Sequence, residues 1–260
     1  MPPPRRVRKA LAWATITARQ CVRMKTIRNA LCLLLFFAGT AHTQSTPPPK
    51  PQQPQLPAGM VQKTGPHSFL INGLRVDTAK REVVADGTIN DVTVLEFVAN
   101  TRNGFKAYES AFTVDADAIA FNAALLLIGL DPARAKVPRQ HFDPNAPQGD
   151  PVEMFVEFTV AGTPRRVRVE ELLFDKRTNT TMPEGPWVYT GSTFIDMVDR
   201  WEFLAATDGV LIGFVHSPSP LIENPRAGAV DGYGAVVLNP NLGLTPGLPV
   251  KLTVRALPRR

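Results

Sequence analysis

Two carboxylates, Glu96 and Glu109, are the residues best placed by type and spacing to do chemistry. They sit in TVLEFVA and AYESAFT, two strand-like segments separated by a turn containing Asn103-Gly104. If a longer loop closes this hairpin so that Asn100 opposes Phe105, Glu96 faces Glu109 directly. A two-residue Asn103-Gly104 turn instead makes them diagonal neighbours on one face. Like charges that close are unfavourable unless a cation, a base or a shared proton intervenes. The pair therefore points to a small acidic site in which Glu96 and Glu109 would take a divalent metal, with Lys106 and Ser110 beside it as ligand-binding groups. The competing interpretation is two solvated glutamates on an exposed sheet face beside Arg102 and Lys106. A one-residue change of register would separate them onto opposite faces.

The remaining candidates are single residues. His216 ends the apolar segment VLIGFVH and could act as a base, with Asp208 as helper, although a hydrogen-bonded structural histidine is the commoner case. His42, His67 and His141 have no second histidine at i+4 and no other metal-ligand spacing. Trp187, Tyr189 and Trp201 could line a ligand groove, while aromatic residues in strands ordinarily belong to a core. Gly191-Ser192 lacks the G-x-S-x-G pattern of a nucleophile elbow and is expected to be a strand-ending turn. The GAVDGYG stretch lacks the strand-loop-helix setting of a phosphate loop.

The elements that must position these residues follow from hydrophobic periodicity. GLRVD and REVVAD alternate, which suggests a first hairpin, closed by Asp86-Gly87. The hairpin carrying Glu96 and Glu109 comes next, then an apolar helix over about 115–129. Asp115 or Asp117 caps it, and Gly129 followed by Asp131-Pro132 stops it. Its residues are apolar nearly all round, so it is expected to be buried. Residues 131–150 hold four prolines without periodicity and read as a long loop. PVEMFVEFTV and RRVRVE form a third hairpin about Ala161-Gly162, and PWVYTGS, WEFLA, VLIGFVH, YGAVVLN and PVKLTVRA are further strands. VLIGFVH is apolar on both faces and therefore central. The fold class is α+β: a predominantly antiparallel β-sheet with one substantial buried helix, in a single domain over 60–258.

The formal charge of +6 invites a nucleic-acid reading, but its location argues otherwise. Residues 1–41 carry eight basic side chains and no acid; removing those eight from 29 leaves 21 basic residues against 23 acidic ones. The rest of the chain has no electrostatic case for nucleic acid. Met24 opens a complete secretory signal, MKTIRN followed by ALCLLLFFAGTA, with cleavage expected near Ala41 and Met24 as the true start. The apolar run is shorter than the roughly 20 residues needed to span a bilayer, so no transmembrane helix is expected after cleavage. Both cysteines, Cys21 and Cys32, fall in this leader. The exported chain then has no disulfide, thiol catalysis, cysteine-ligated zinc or iron–sulfur cluster. Residues 42–59, rich in proline and glutamine, are expected to be a disordered tether.

Several motifs then fall in a recognisable order: LEF, KAYES, AALLLIGL, the FDP loop, PWVYTGS and the closing NPNLGLTPGLPVKLTVRAL. Over about residues 65–257 the chain resembles the YdjY-like domain family of exported bacterial proteins, whose biochemical role is unsettled. The resemblance implies no catalytic residues to carry over. Cysteine motifs that attract a ferredoxin-like label to some relatives are missing here. The function expected is that of an exported, non-enzymatic binding or interaction domain, periplasmic or envelope-associated, whose partner is an envelope protein or a small ligand. The alternative is a metal-dependent or acid/base hydrolase that uses Glu96 and Glu109, with His216 or Asp208 assisting.

Overall fold

The alternating segments REVVAD, PVEMFVEFTV and PVKLTVRA each bury one face and leave the other in water, and a closed wall of strands satisfies that pattern without open edges. The computed structural model describes residues 49–51, 53–226 and 234–259. The leader 1–41, its two cysteines, the start of the proline-rich stretch and most of GAVDGYG lie outside the described residues.

Three short strands, β1 (Val61–Lys63), β2 (Ser68–Ile71) and β3 (Leu74–Asp77), lead into β4 (Glu82–Ile89), β5 (Phe97–Thr101) and β6 (Ser110–Val114). Helix α1 (Ala118–Leu127) precedes the long β7 (Asp150–Val160) and β8 (Thr163–Arg168). One turn of helix, α2 (Val169–Leu172), leads to the short strands β9 (Leu173–Asp175), β10 (Thr180–Thr181), β11 (Trp187–Tyr189), β12 (Phe194–Asp196) and β13 (Trp201–Phe203). Helix α3 (Leu204–Asp208), β14 (Val210–Gly213), β15 (Ile222–Glu223), β16 (Val236–Leu238) and β17 (Pro249–Ala256) complete the order. Eight strands close a barrel in the order β4-β17-β7-β11-β15-β14-β5-β6, with β6 returning to β4. β1 to β3 extend the sheet from β4, and β8 pairs with β7.

Closure depends on Gly87. It pairs with Val250 on one side and Val114 on the other, and a Cβ there would run into the carbonyl oxygen of Thr113. This corrects the sequence expectation for Asp86-Gly87, which lies inside β4. The β3–β4 turn falls instead between Asp77 and Glu82, which are paired. The hairpin about Ala161-Gly162 is present, with Val160 opposite Thr163.

Val83, Ala85, Val152, Met154, Val156, Leu252 and Val254 form part of the buried core. Outside, Phe155 is covered by the guanidiniums of Arg166, Arg168 and Arg255 at 3.9, 5.3 and 5.9 Å from its ring centre. Arg255 also bridges Glu82 and Glu153 on the flanking strands. Helix α1 starts at Asp117, whose carboxylate accepts the Ala120 N–H at 2.8 Å, and it packs against β2, β3, β14 and α3. All of β5 and β14 is buried, as the apolar character of VLIGFVH requires.

The sheet is mixed. β14 and β15 run parallel, and so do β5 and β6, which overturns the hairpin expected for the Glu96 and Glu109 strands. The Asn103-Gly104 pair does turn the chain, with Asn103 at φ 68°, but it serves a close approach between two backbones. A Cβ on Gly104 would stand 2.6 Å from the carbonyl oxygen of Gly209 and 3.0 Å from Thr101 Oγ1. The chain then runs back through residues 102–109 and enters β6 in the same direction as β5.

Candidate functional site

The parallel pairing places the two glutamates together by a different route from the one expected. Phe97 is registered with Ser110, and one residue earlier the Glu96 N–H donates to the Glu109 carbonyl at 2.9 Å. Glu96 immediately precedes β5, and Glu109 ends a 3-10 turn, Ala107–Glu109, immediately before β6. Neither is solvated: each is 4% exposed. The solvated-face interpretation therefore fails, and each buried carboxylate needs a partner of its own.

Each has one. Lys106 Nζ lies 2.5 Å from Glu109 Oε1, and His141 Nε2 lies 3.1 Å from Glu96 Oε2. Burial works against the Lys106 ammonium, but hydrogen bonds to Glu109 and Tyr108 outweigh it and hold its pKa above the ordinary lysine value. The same ammonium lies 5.9 Å from the Phe97 ring centre and 5.6 Å from that of Tyr108. Ser110 Oγ donates to the Lys106 carbonyl at 2.8 Å, so it braces the turn that aims Lys106 inward. With Lys106 held that way, its neighbours Phe105 and Tyr108 stand out from the surface, 59% and 61% exposed.

His141 was legible only as an isolated histidine, because nothing in sequence spacing links residue 141 to residue 96. The fold links them: the loop that carries His141 lies across the strand ends. Phe142 N–H donates to the His216 carbonyl at 2.8 Å, and His216 Nδ1 lies 2.9 Å from the Asp143 carbonyl. Buried Asp143 accepts the N–H groups of Arg139 and Asn145, which hold its pKa below the usual carboxylate range.

His216 stands near this site without joining it. Its predecessor Val215 donates its N–H to the Glu96 carbonyl at 3.3 Å, but the imidazole is 1% exposed and its Nε2 has no partner among the described residues. Asp208 is elsewhere. It ends α3 beside Gly209, whose carbonyl accepts from Thr101 at the far end of β5, roughly 16 Å along the strand from Glu96. It accepts a hydrogen bond from Ser219 Oγ. A catalytic partnership of Asp208 with the glutamates is therefore excluded by the length of β5.

Trp187 and Tyr189 belong to the barrel wall and are fully buried, so they line no open groove. Tyr189 OH donates to Asn122 Oδ1 at 2.6 Å, and burial pushes its pKa up. Ser192 donates from Oγ to the Ser219 carbonyl at 2.7 Å and accepts the Ala205 N–H, which makes it a packed turn residue.

Among the buried acids that the sequence did not single out, Glu223 is the least satisfied. Glu223, in β15, is 0% exposed; among the described residues Oε1 accepts only a 3.3 Å bond from Ser217 N–H, and Oε2 has no partner. Burial drives its pKa well above the ordinary carboxylate value. No local motif singles it out; its burial comes from β15 lying between β14 and β11, opposite Gly213 and Val188. Among the described residues, no three His, Cys, Asp or Glu side chains converge in a way that could hold a metal ion. Nor is any helix among them long and apolar enough to cross a membrane.

Neither a curated protein nor a solved structure matches the chain. The sequence profile of the YdjY domain matches residues 74–254. That span begins at the first residue of β3 and ends within β17, so it takes in every barrel strand and both parallel connections. The chain belongs to the YdjY domain family.

Proposed function

We propose that this is an exported, non-enzymatic binding domain of the cell envelope, and that the connection 102–109 with His141 beside it is its recognition surface. The observation that carries this reading is the inward Lys106–Glu109 pair with Phe105 and Tyr108 turned outward on either side of Lys106. Buried ion pairs that lack a free base are scaffolding, whereas large exposed aromatic side chains are what binding surfaces use. The secretory leader read at Met24 supports the location. A photo-crosslinking phenylalanine at position 105 of the full chain, expressed in its own cells, tests it. A discrete adduct is expected from position 105 and not from a control at Glu157 on the outer barrel wall. Absence of an adduct at 105, or the same adduct from both, would count against the surface.

One observation favours the hydrolase alternative. A carboxylate bonded to an imidazole, as Glu96 is to the 39% exposed His141 side chain, is how enzymes orient a general base. Turnover of an ester panel that His141→Ala and Glu96→Gln both abolish would replace the binding reading with this one. Calorimetric titration with calcium, magnesium, manganese and zinc tests the metal version, for which a heat lost in Glu96→Gln is the required result.

A further inference from the structure

The described part of the proline-rich stretch lies against the domain. Lys50 Nζ sits 5.7 Å from the Trp201 ring centre, Gln53 Oε1 accepts the Asn122 Nδ2–H at 2.8 Å, and Leu56 packs against the hydrophobic core. The three contacts fall at positions 50, 53 and 56. A spacing of three is the period of polyproline II, the conformation that proline-rich sequence favours and that aromatic-lined grooves recognise.

The receiving surface is built for such a segment. It lies between α1 and the β12–β13 hairpin, where Lys50, Pro51 and Gln53 form one wall of a cleft of about 680 Å³ and Leu126, Pro132, Val137, Gly191 and Phe194 line the other side. Behind Gln53 lies Asn122, 0% exposed in the middle of α1. The Asn122 carbonyl is taken by Tyr189 OH, which leaves its amide N–H as a buried donor that only the Gln53 side chain satisfies. A buried donor without an acceptor is costly, so the cleft discriminates for a side-chain acceptor at that point. A mere spacer has no need of a polar residue at the centre of a core helix.

The geometry points to a peptide-recognition cleft that reads Lys-x-x-Gln-x-x-Leu in an extended, proline-rich segment and is occupied in cis by Lys50, Gln53 and Leu56. The site is separate from the 102–109 surface, and its ligand class is stated by its contacts: a cation on Trp201, an amide on Asn122 and an aliphatic side chain on the core.

The test uses a labelled synthetic peptide of residues 47–58 and fluorescence anisotropy on the full chain. In the unmodified chain the tethered segment competes at high effective concentration, so the added peptide binds poorly. Gln53→Ala with Leu56→Ser weakens the cis segment, and binding of the added peptide is expected to tighten at least about tenfold. A peptide with alanine at the position of Gln53 leaves the protein untouched and is expected to bind about tenfold more weakly to the same variant. Trp201→Ala in that background should cost roughly threefold through the lost cation–π contact. Equal binding by the two chains, equal binding of the two peptides, or no binding at all overturns the assignment.

Discussion

Two stretches of this molecule solve the same topological problem and reach opposite chemical states. Residues 102–109 join β5 to β6, and residues 214–221 join β14 to β15; each returns the chain to run parallel beside the strand it has just left. Since β5 and β14 are themselves antiparallel neighbours, the two units face each other across the middle of the barrel wall. Each connection leads to an acid near the start of its second strand, Glu109 and Glu223. The first connection is largely exposed and supplies its own cation, Lys106. The second is buried almost throughout and supplies only a backbone N–H, from Ser217. An exposed connection can carry a lysine whose ammonium stays partly hydrated, so its acid remains paired. A buried connection offers no such route, and burial raises the pKa of its acid.

The largest expected effect breaks the paired side. Lys106→Ala strands Glu109 without a partner and should cost about 3–5 kcal/mol of stability in urea unfolding. Lys106→Ala with Glu109→Gln should recover much of that loss, and failure to do so would mean that the pair is not what holds the connection. Next is the contact between the units. Gly209, at φ 68°, faces Gly104 so closely that Gly209→Ala should cost about 1–3 kcal/mol in thermal unfolding.

The unpaired side is sharpened by pH. The Glu223 pKa is raised in the folded state, so its stabilising contribution is fully present below the unfolded value of about 4.5. It is lost as pH rises toward and through the folded value. Glu223→Gln removes that dependence, and its stability relative to the unmodified chain should climb above pH 5 by at most about 1.4 kcal/mol per pH unit. Parallel stability curves for the two proteins would show that Glu223 is not held neutral. The smallest effect belongs to the exposed aromatics: Phe105→Ser should change stability by no more than about 0.5 kcal/mol, and Tyr108→Ser slightly more, because its hydroxyl accepts a hydrogen bond from Lys106 Nζ at 3.3 Å.

Much of the site was legible one residue at a time and little of it as a constellation. Glu96, Glu109, Lys106 and Ser110 stood out because they lie within one short stretch. The asparagine–glycine pair between them suggested a hairpin, since that dipeptide is the usual signal for one. Its actual task, letting the chain pass close to Gly209, depends on a residue about a hundred positions away. His141 and Glu223 carried no local signal at all: one acquires its carboxylate from a distant strand, the other its burial from strands on both sides.

What the sequence determined by itself is which faces of the long strands are apolar and where the main helix begins. The alternation in PVEMFVEFTV and PVKLTVRA, the capping aspartate at 117 and the apolar run of α1 are local properties, and each appears where its residues require it. What only the tertiary structure decided is strand direction and partnership. A strand shows the same alternation whether its neighbour runs parallel or antiparallel, because side-chain period is set by its own pleat while its hydrogen bonds are made to another segment. Glu96 and Glu109 became neighbours, and buried, through that non-local choice.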